Sequence, residues 1–252
     1  MSFSPFFLLA VGVSISSALF LAGYRPWRRA VLRARLEGQL PEALRAIADA
    51  VAGGMDLKGA FSVVASMGAR PLSDVARRVL ALSEVGGMTV EEALWRTAEE
   101  VGSPNFKRFA LIVAEAVRSG ARLPEVLGAA ARSFATVVEF RRDLAAQLRP
   151  YVLLFYAVLG VFVVLSDLLI YFMIPQLAKL SSSVASSAIR PAVVNALDAL
   201  TVMFFSAIVQ SIVGGLIVGR IVYFSASAGL VHSAVASAIS TAALLAPLWV
   251  KF

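Results

Sequence analysis

Four stretches of the chain stay apolar long enough to cross a bilayer, and between the first two the pattern changes to apolar positions recurring every three or four residues. A span needs about 20 apolar residues to cover the hydrocarbon. Pro5 to Ala22 qualifies with no charge inside, and Tyr151 to Ile174 with one, Asp167. A third candidate runs from Leu197 to Gly219 and a fourth from Gly229 to Val250. The intervening segment reads as amphipathic helices, because apolar residues at helical spacing form one buried stripe. After Pro104, for example, Phe106, Phe109, Val113, Ala116 and Val117 share a face opposite Arg108, Glu115 and Arg118.

That middle segment repeats itself. Gly54-Met-Asp-Leu-Lys-Gly-Ala-Phe61 returns as Gly87-Met-Thr-Val-Glu-Glu-Ala-Leu94 and again as Gly120-Ala-Arg-Leu-Pro-Glu-Val-Leu127. The turn glycines Gly54, Gly87 and Gly120 are evenly spaced, and an alanine (Ala48, Ala81, Ala114) precedes each by the same interval. Glycine just past a helix end takes the left-handed conformation that caps it. Thr89 with Glu92 then forms a capping box for the next helix, and Pro41, Pro71, Pro104 and Pro124 mark other starts. Helices are predicted over 40–52, 57–67, 71–85, 90–101, 104–119 and 124–147. Three hairpins of this size close into a six-helix bundle; an open helical-repeat scaffold is the alternative.

The fold class expected is therefore an all-α membrane protein of four transmembrane helices plus a cytoplasmic six-helix bundle made of three helical hairpins. Its parts are a first transmembrane helix (1–23), the bundle (24–149), a second span (150–175), an external loop (176–196), and the last two spans (197–252) joined by a short loop (220–228).

Composition supports the split. The chain has 59% hydrophobic and 15% charged residues, against about 25% charged in ordinary soluble domains. Of 23 Lys and Arg, 19 lie between Arg25 and Arg149, as do 14 of 16 acids. Arg25, Arg28, Arg29, Arg33 and Arg35 follow the first span directly, and positive charge stays cytoplasmic, so the main domain is expected inside and both termini outside. Ten near-membrane cations inside (adding Arg132, Arg141, Arg142, Arg149 and Arg220) against three outside (Lys179, Arg190, Lys251) agree. A basic cytoplasmic side accounts for the net charge of +7 without a nucleic-acid partner. With no cysteine and a single histidine, His232, thiol chemistry is excluded and no catalytic constellation, metal site or cofactor site can be assembled.

The middle segment resembles the type II secretion system F domain family, which includes membrane platforms of archaeal type IV pilus-like, archaellum and Tad-type pilus assembly systems. The resemblance rests on Gly86-Gly87-Met88, Ala93-Leu94, the run Ser103 to Arg108, and Ser119-Gly120. It returns near the C-terminus in Gly215-Leu-Ile-Val-Gly219-Arg220, Ser225 and Ala228-Gly-Leu-Val-His232. Polar and basic positions of the archaeal loop are replaced by Val222, Tyr223, Phe224, Ser227 and Val231. The resemblance covers about residues 38–250. It implies a platform that relays movement from a cytoplasmic hexameric secretion ATPase to pilin subunits, in a membrane, paired with itself or a sister subunit as a dimer. A transporter or channel subunit with a helical regulatory domain is the alternative.

Two sets of residues are candidates for contacts. The paired cations Arg77-Arg78, Lys107-Arg108 and Arg141-Arg142 suit docking of the ATPase. Ser211, Gly215 and Gly219 form a small-residue surface expected to face Ala234, Ala238 and Ala242 (with Ala246 beyond) across a tight hairpin, with dimerisation as the alternative, since small residues let helices approach closely in lipid. Gly214 to Arg220 mimics a phosphate-binding loop only superficially, lacking the Lys-Ser/Thr ending and the preceding strand. Asp167 is an intramembrane acid, where a charge is costly; a buried polar contact or a protonated carboxyl is expected. His232 is expected at an interface rather than as a ligand.

Overall fold

The computed structural model describes residues 4–183 and 195–250, and among them every regular element is helical. The elements are α1 (Pro5–Ala52), α2 (Leu57–Ser66), α3 (Leu72–Glu84), α4 (Val90–Val101), α5 (Pro104–Arg118), α6 (Leu123–Asp167), α7 (Ile174–Ser183), α8 (Ala196–Tyr223) and α9 (Leu230–Val250). Four helical stretches are long and apolar enough to span a membrane: α1, α6 with its continuation to Lys179, α8, and Ser227–Leu248.

Two compact units emerge, Val31–Ala146 and the remainder, Met1–Ala30 with Gln147–Phe252. Both junctions fall inside helices. The sequence reading separates a first span from a helix beginning near Pro41, yet α1 runs unbroken through Gly23, Pro26 and Pro41. Likewise α6 passes through Pro150 without a break. A proline inside a helix removes one hydrogen bond and clashes with one carbonyl; the turns on either side can still hold the helix together.

In the Val31–Ala146 unit the inner part of α1, α2–α5 and the first part of α6 contribute to one core. Leu40, Leu44 and Ile47 of α1 meet Phe61, Val64, Val79, Leu94, Phe106, Phe109, Val113 and Leu127, all essentially buried. Phe106 and Phe109 stack with centroids 5.3 Å apart; truncating either should cost about 3–5 kcal/mol. The repeat turns take the form anticipated. Gly54, Gly87 and Gly120 all have positive φ, at 89°, 64° and 63°. Asp56 caps α2 through the Gly59 amide, and Thr89 with Glu92 makes the reciprocal capping box of α4. Gly120 leads instead into a short 3₁₀ turn, Gly120–Arg122, which feeds α6 directly.

In the other unit, Leu8, Val163, Leu200, Phe204, Ile208, Leu244 and Leu245 form the core. A π-helical turn, Leu168–Met173, joins α6 to α7. Pro175 follows at once, and its absent amide and its ring against the Tyr171 carbonyl favour a widened turn there. Helix therefore continues to Ser183 where an external loop from 176 is expected, and residues 184–194, with Arg190, lie outside the described residues. Lys251 does too. The expected 220–228 loop is shorter as well: α8 runs to Tyr223, Phe224 turns with φ of 53°, and Arg220 donates to the Phe224 carbonyl.

Candidate partner-binding site

The three basic pairs sit on three helices of the Val31–Ala146 unit, and their surroundings differ. On α3, Arg77 lies 3.5 Å from Asp74, one turn back, and Arg78 reaches Glu100 of α4 at 3.3 Å. Lys107 and Arg108 are exposed on α5, with no ion pair among the described residues. Arg142 is exposed on α6. Arg141 is not a free rim charge: its Nη1 donates to Glu37 Oε2 at 2.7 Å. The same carboxylate accepts from Asn105 Nδ2 at 2.6 Å and Ser103 Oγ at 2.5 Å. Thus α1, the start of α5 and α6 meet at one acid, 15% exposed. Ser103 and Asn105 belong to the family-like run, so these two residues tie α5 to α1. With Arg77 and Arg78 partly neutralised and Arg141 committed internally, Lys107-Arg108 is the pair that presents positive charge most openly.

A second surface of this unit escaped the sequence reading. Trp95 and Leu111, both about half exposed, line an open groove between α4 and α5 with Glu91, Glu99 and Arg118. Alternation in the α4 sequence gives the acids away, but only the packing of α5 beside α4 shows the groove.

In the membrane-type unit, the hairpin of α8 and α9 is held by small residues, though not all of those expected. A Cβ on Gly215 would overlap Ser233, and one on Gly219 would overlap the backbone of Gly229. Ser211 Oγ lies 3.5 Å from Ser240 Oγ, and Ser233 Oγ donates to the Ile212 carbonyl at 3.0 Å. The row facing α8 is therefore Gly229, Ser233 and Ser240. The expected row, Ala234, Ala238 and Ala242, lies one residue on, which rotates it by about 100°. Ala234 is buried, but Ala238 and Ala242 are exposed and line a groove beside α1. The correction has a physical cause: alanine and serine are equally small, so composition cannot choose the face, whereas α1 packs on α9 as well. A Cβ on Gly12 would overlap Thr241, one on Gly23 would overlap Leu230, and Ser16 Oγ lies 2.8 Å from Ser237 Oγ. Gly214 abuts the Phe155 ring of α6.

Polar aromatic contacts join the same helices. Trp27 Nε1 donates to Tyr223 Oη at 3.1 Å, and Tyr156 Oη lies 2.9 Å from His232 Nδ1. His232 is thus engaged with α6, not merely interfacial. Asp167 ends α6, and its Oδ1 is buried with no hydrogen-bond partner among the described residues. The Gly214–Arg220 stretch is continuous helix, so its amides already serve the helix rather than a phosphate. Among the described residues no group of three or more His, Asp or Glu is placed to hold a metal.

The model of one family, described as type II secretion system (T2SS), protein F, matches residues 43–170, which is half of the chain. The match runs from the inner part of α1 through α2–α5 to the π-helical turn after α6. No curated protein and no solved structure matches the chain.

Proposed function

The chain belongs to the type II secretion system protein F family, whose members are membrane platform proteins, and from that premise we propose that it is the cytoplasmic-membrane platform subunit of a type IV pilus-like assembly machine, coupling a hexameric ATPase to the assembly of pilin subunits. The observation that carries this reading is the continuity of α1 and α6. Each is a single helix shared between an apolar membrane-type unit and a polar helical one. The chain thus ties a polar helical unit to the spans at two places, as a membrane platform requires. The distribution of cations favours a cytoplasmic Val31–Ala146 unit, the side on which an ATPase would act. Lys107 and Arg108 are the leading contacts in this reading, with Arg77, Arg78 and Arg142 in support. A second copy or a sister platform subunit completes the assembly as a dimer. The chain in this reading has no enzymatic activity, binds no cofactor and acts on no nucleic acid.

Chemical crosslinking in native membranes followed by purification of the chain tests the proposal. A secretion-type ATPase and pilin precursors should co-purify, and a Lys107→Glu/Arg108→Glu variant should lose the ATPase while keeping the pilins. Recovery of neither above an unrelated four-span control would defeat it.

A further inference from the structure

The open groove between α4 and α5 has a volume of about 980 Å³ and carries two kinds of side chain. Trp95 and Leu111 are apolar and left open to solvent, at 47% and 58% exposure. Glu91, Trp95 and Glu99 recur at intervals of four, so they share one face of α4 with the indole between the two acids. Eight residues of helix place those acids about 12 Å apart along the axis. Neither Glu91 nor Glu99 has an ion-pair partner among the described residues.

The charge in the groove is one-sided. Glu91, Glu92 and Glu99 line it with Arg96 and Arg118, and Arg118 is already matched by Glu115 at 3.8 Å. Three carboxylates therefore face Arg96 alone, in a chain whose net charge is +7. That balance selects among occupants. Hydrocarbon laid over these acids would be costly, and anionic headgroups or nucleic acid are repelled by them. An amphipathic helix satisfies both features, with its apolar face on Trp95 and Leu111 and its Lys or Arg beside Glu91 and Glu99. Trp is among the side chains that most often anchor such contacts, and the face of its ring also attracts a cation.

We propose that this groove binds a cationic amphipathic helix of a partner protein, one with basic residues about two turns apart and a large apolar residue between them. Basic residues at i and i+8 match the spacing of Glu91 and Glu99, and an apolar residue at i+4 meets Trp95. The site is separate from the Lys107-Arg108 contact, whose charge has the opposite sign, and it does not depend on any ATPase coupling.

A fluorescent Ala-based helical peptide of about 18 residues, with Lys, Leu and Lys at i, i+4 and i+8, tests this. It is titrated with the full chain in nonionic micelles, and its anisotropy is read against empty micelles. Saturable binding that weakens as salt rises is expected. Trp95→Ala should weaken it about tenfold or more, the loss expected of one anchoring aromatic. Glu91→Gln/Glu99→Gln should weaken it about threefold or more and flatten its salt dependence. Glu91→Lys/Glu99→Lys should instead take the peptide in which Glu replaces both Lys. These paired substitutions lie outside the core and keep the test valid if Trp95→Ala fails to fold. Binding no greater than to empty micelles overturns the proposal, as does binding unchanged by either the Trp95 or the paired Glu→Gln substitutions. So does self-association of the chain that Trp95→Ala abolishes, since a second copy then fills the groove.

Discussion

Replacing Glu37 by alanine should loosen the Val31–Ala146 unit more than any other single charge removal in it. Three donors converge on that carboxylate: Ser103 Oγ, Asn105 Nδ2 and Arg141 Nη1, at 2.5–2.7 Å. A hydrogen bond to a charged group contributes about 1.5–3 kcal/mol net, but the three do not add. Arg141 is 44% exposed and recovers water, which cuts its share to about 1 kcal/mol or less. Ser103 is fully buried and loses its acceptor, at about 1–2 kcal/mol. Asn105 is partly buried and falls between. The expected loss is about 2–4 kcal/mol. Glu37→Gln should cost less, about 1–2 kcal/mol, because its carbonyl still serves Asn105 and Arg141 while its amide faces Ser103, whose hydroxyl proton then loses its acceptor. Unfolding of the full chain in micelles, read from Trp95 after Trp27 and Trp249 are changed to Phe, reports on this unit. A double-mutant cycle with Arg141→Ala should show coupling of about 1 kcal/mol. The reasoning fails if Glu37→Ala lies within about 0.5 kcal/mol of wild type, or if Glu37 and Ser103 show no coupling.

Other expectations follow from the same contacts. Gly215→Val and Gly219→Ala should each destabilise the α8–α9 hairpin by about 1–3 kcal/mol through overpacking against Ser233 and Gly229, whereas Ala238→Val should change stability by less than about 0.5 kcal/mol; equal losses in a detergent-unfolding series would contradict the register. Reversing Lys107 and Arg108 to Glu should weaken ATPase binding most at low salt, given a Debye length of about 8 Å at physiological strength, without moving the unfolding midpoint; reversing Arg141 should move that midpoint, because Glu37 would lose one of its three donors and face a like charge. An impermeant thiol reagent on intact cells should label Ser2→Cys and spare Ser62→Cys, an exposed position on α2. Ser73 is fully buried and would stay silent on either side. Labelling of Ser62→Cys alone would invert the orientation. Purified protein should show no saturable nucleotide binding at micromolar concentration, and binding would count against the helical reading of Gly214–Arg220.

What could be read from the residues alone was whatever depends on near neighbours. Four apolar runs of sufficient length define four spans before any contact is known, because burying a helix in hydrocarbon depends on its own side chains. The positive φ of Gly54, Gly87 and Gly120 and the Thr89–Glu92 box are likewise settled within a few residues. Tertiary structure decided the rest. Whether α1 breaks at Pro26 or Pro41 is a balance between one lost hydrogen bond and the packing of the flanking turns. Which small residues face α8 depends on α1 lying on the other side of α9, so Ser233 took a place that Ala234 could have filled, while Gly229, just before α9, sits where any Cβ would strike the Gly215 carbonyl. Glu37 reads as one acid among many near a basic stretch. Its role appears only when Ser103, Asn105 and Arg141, 66 to 104 positions away, come within hydrogen-bonding distance, and no local pattern encodes a meeting at that range.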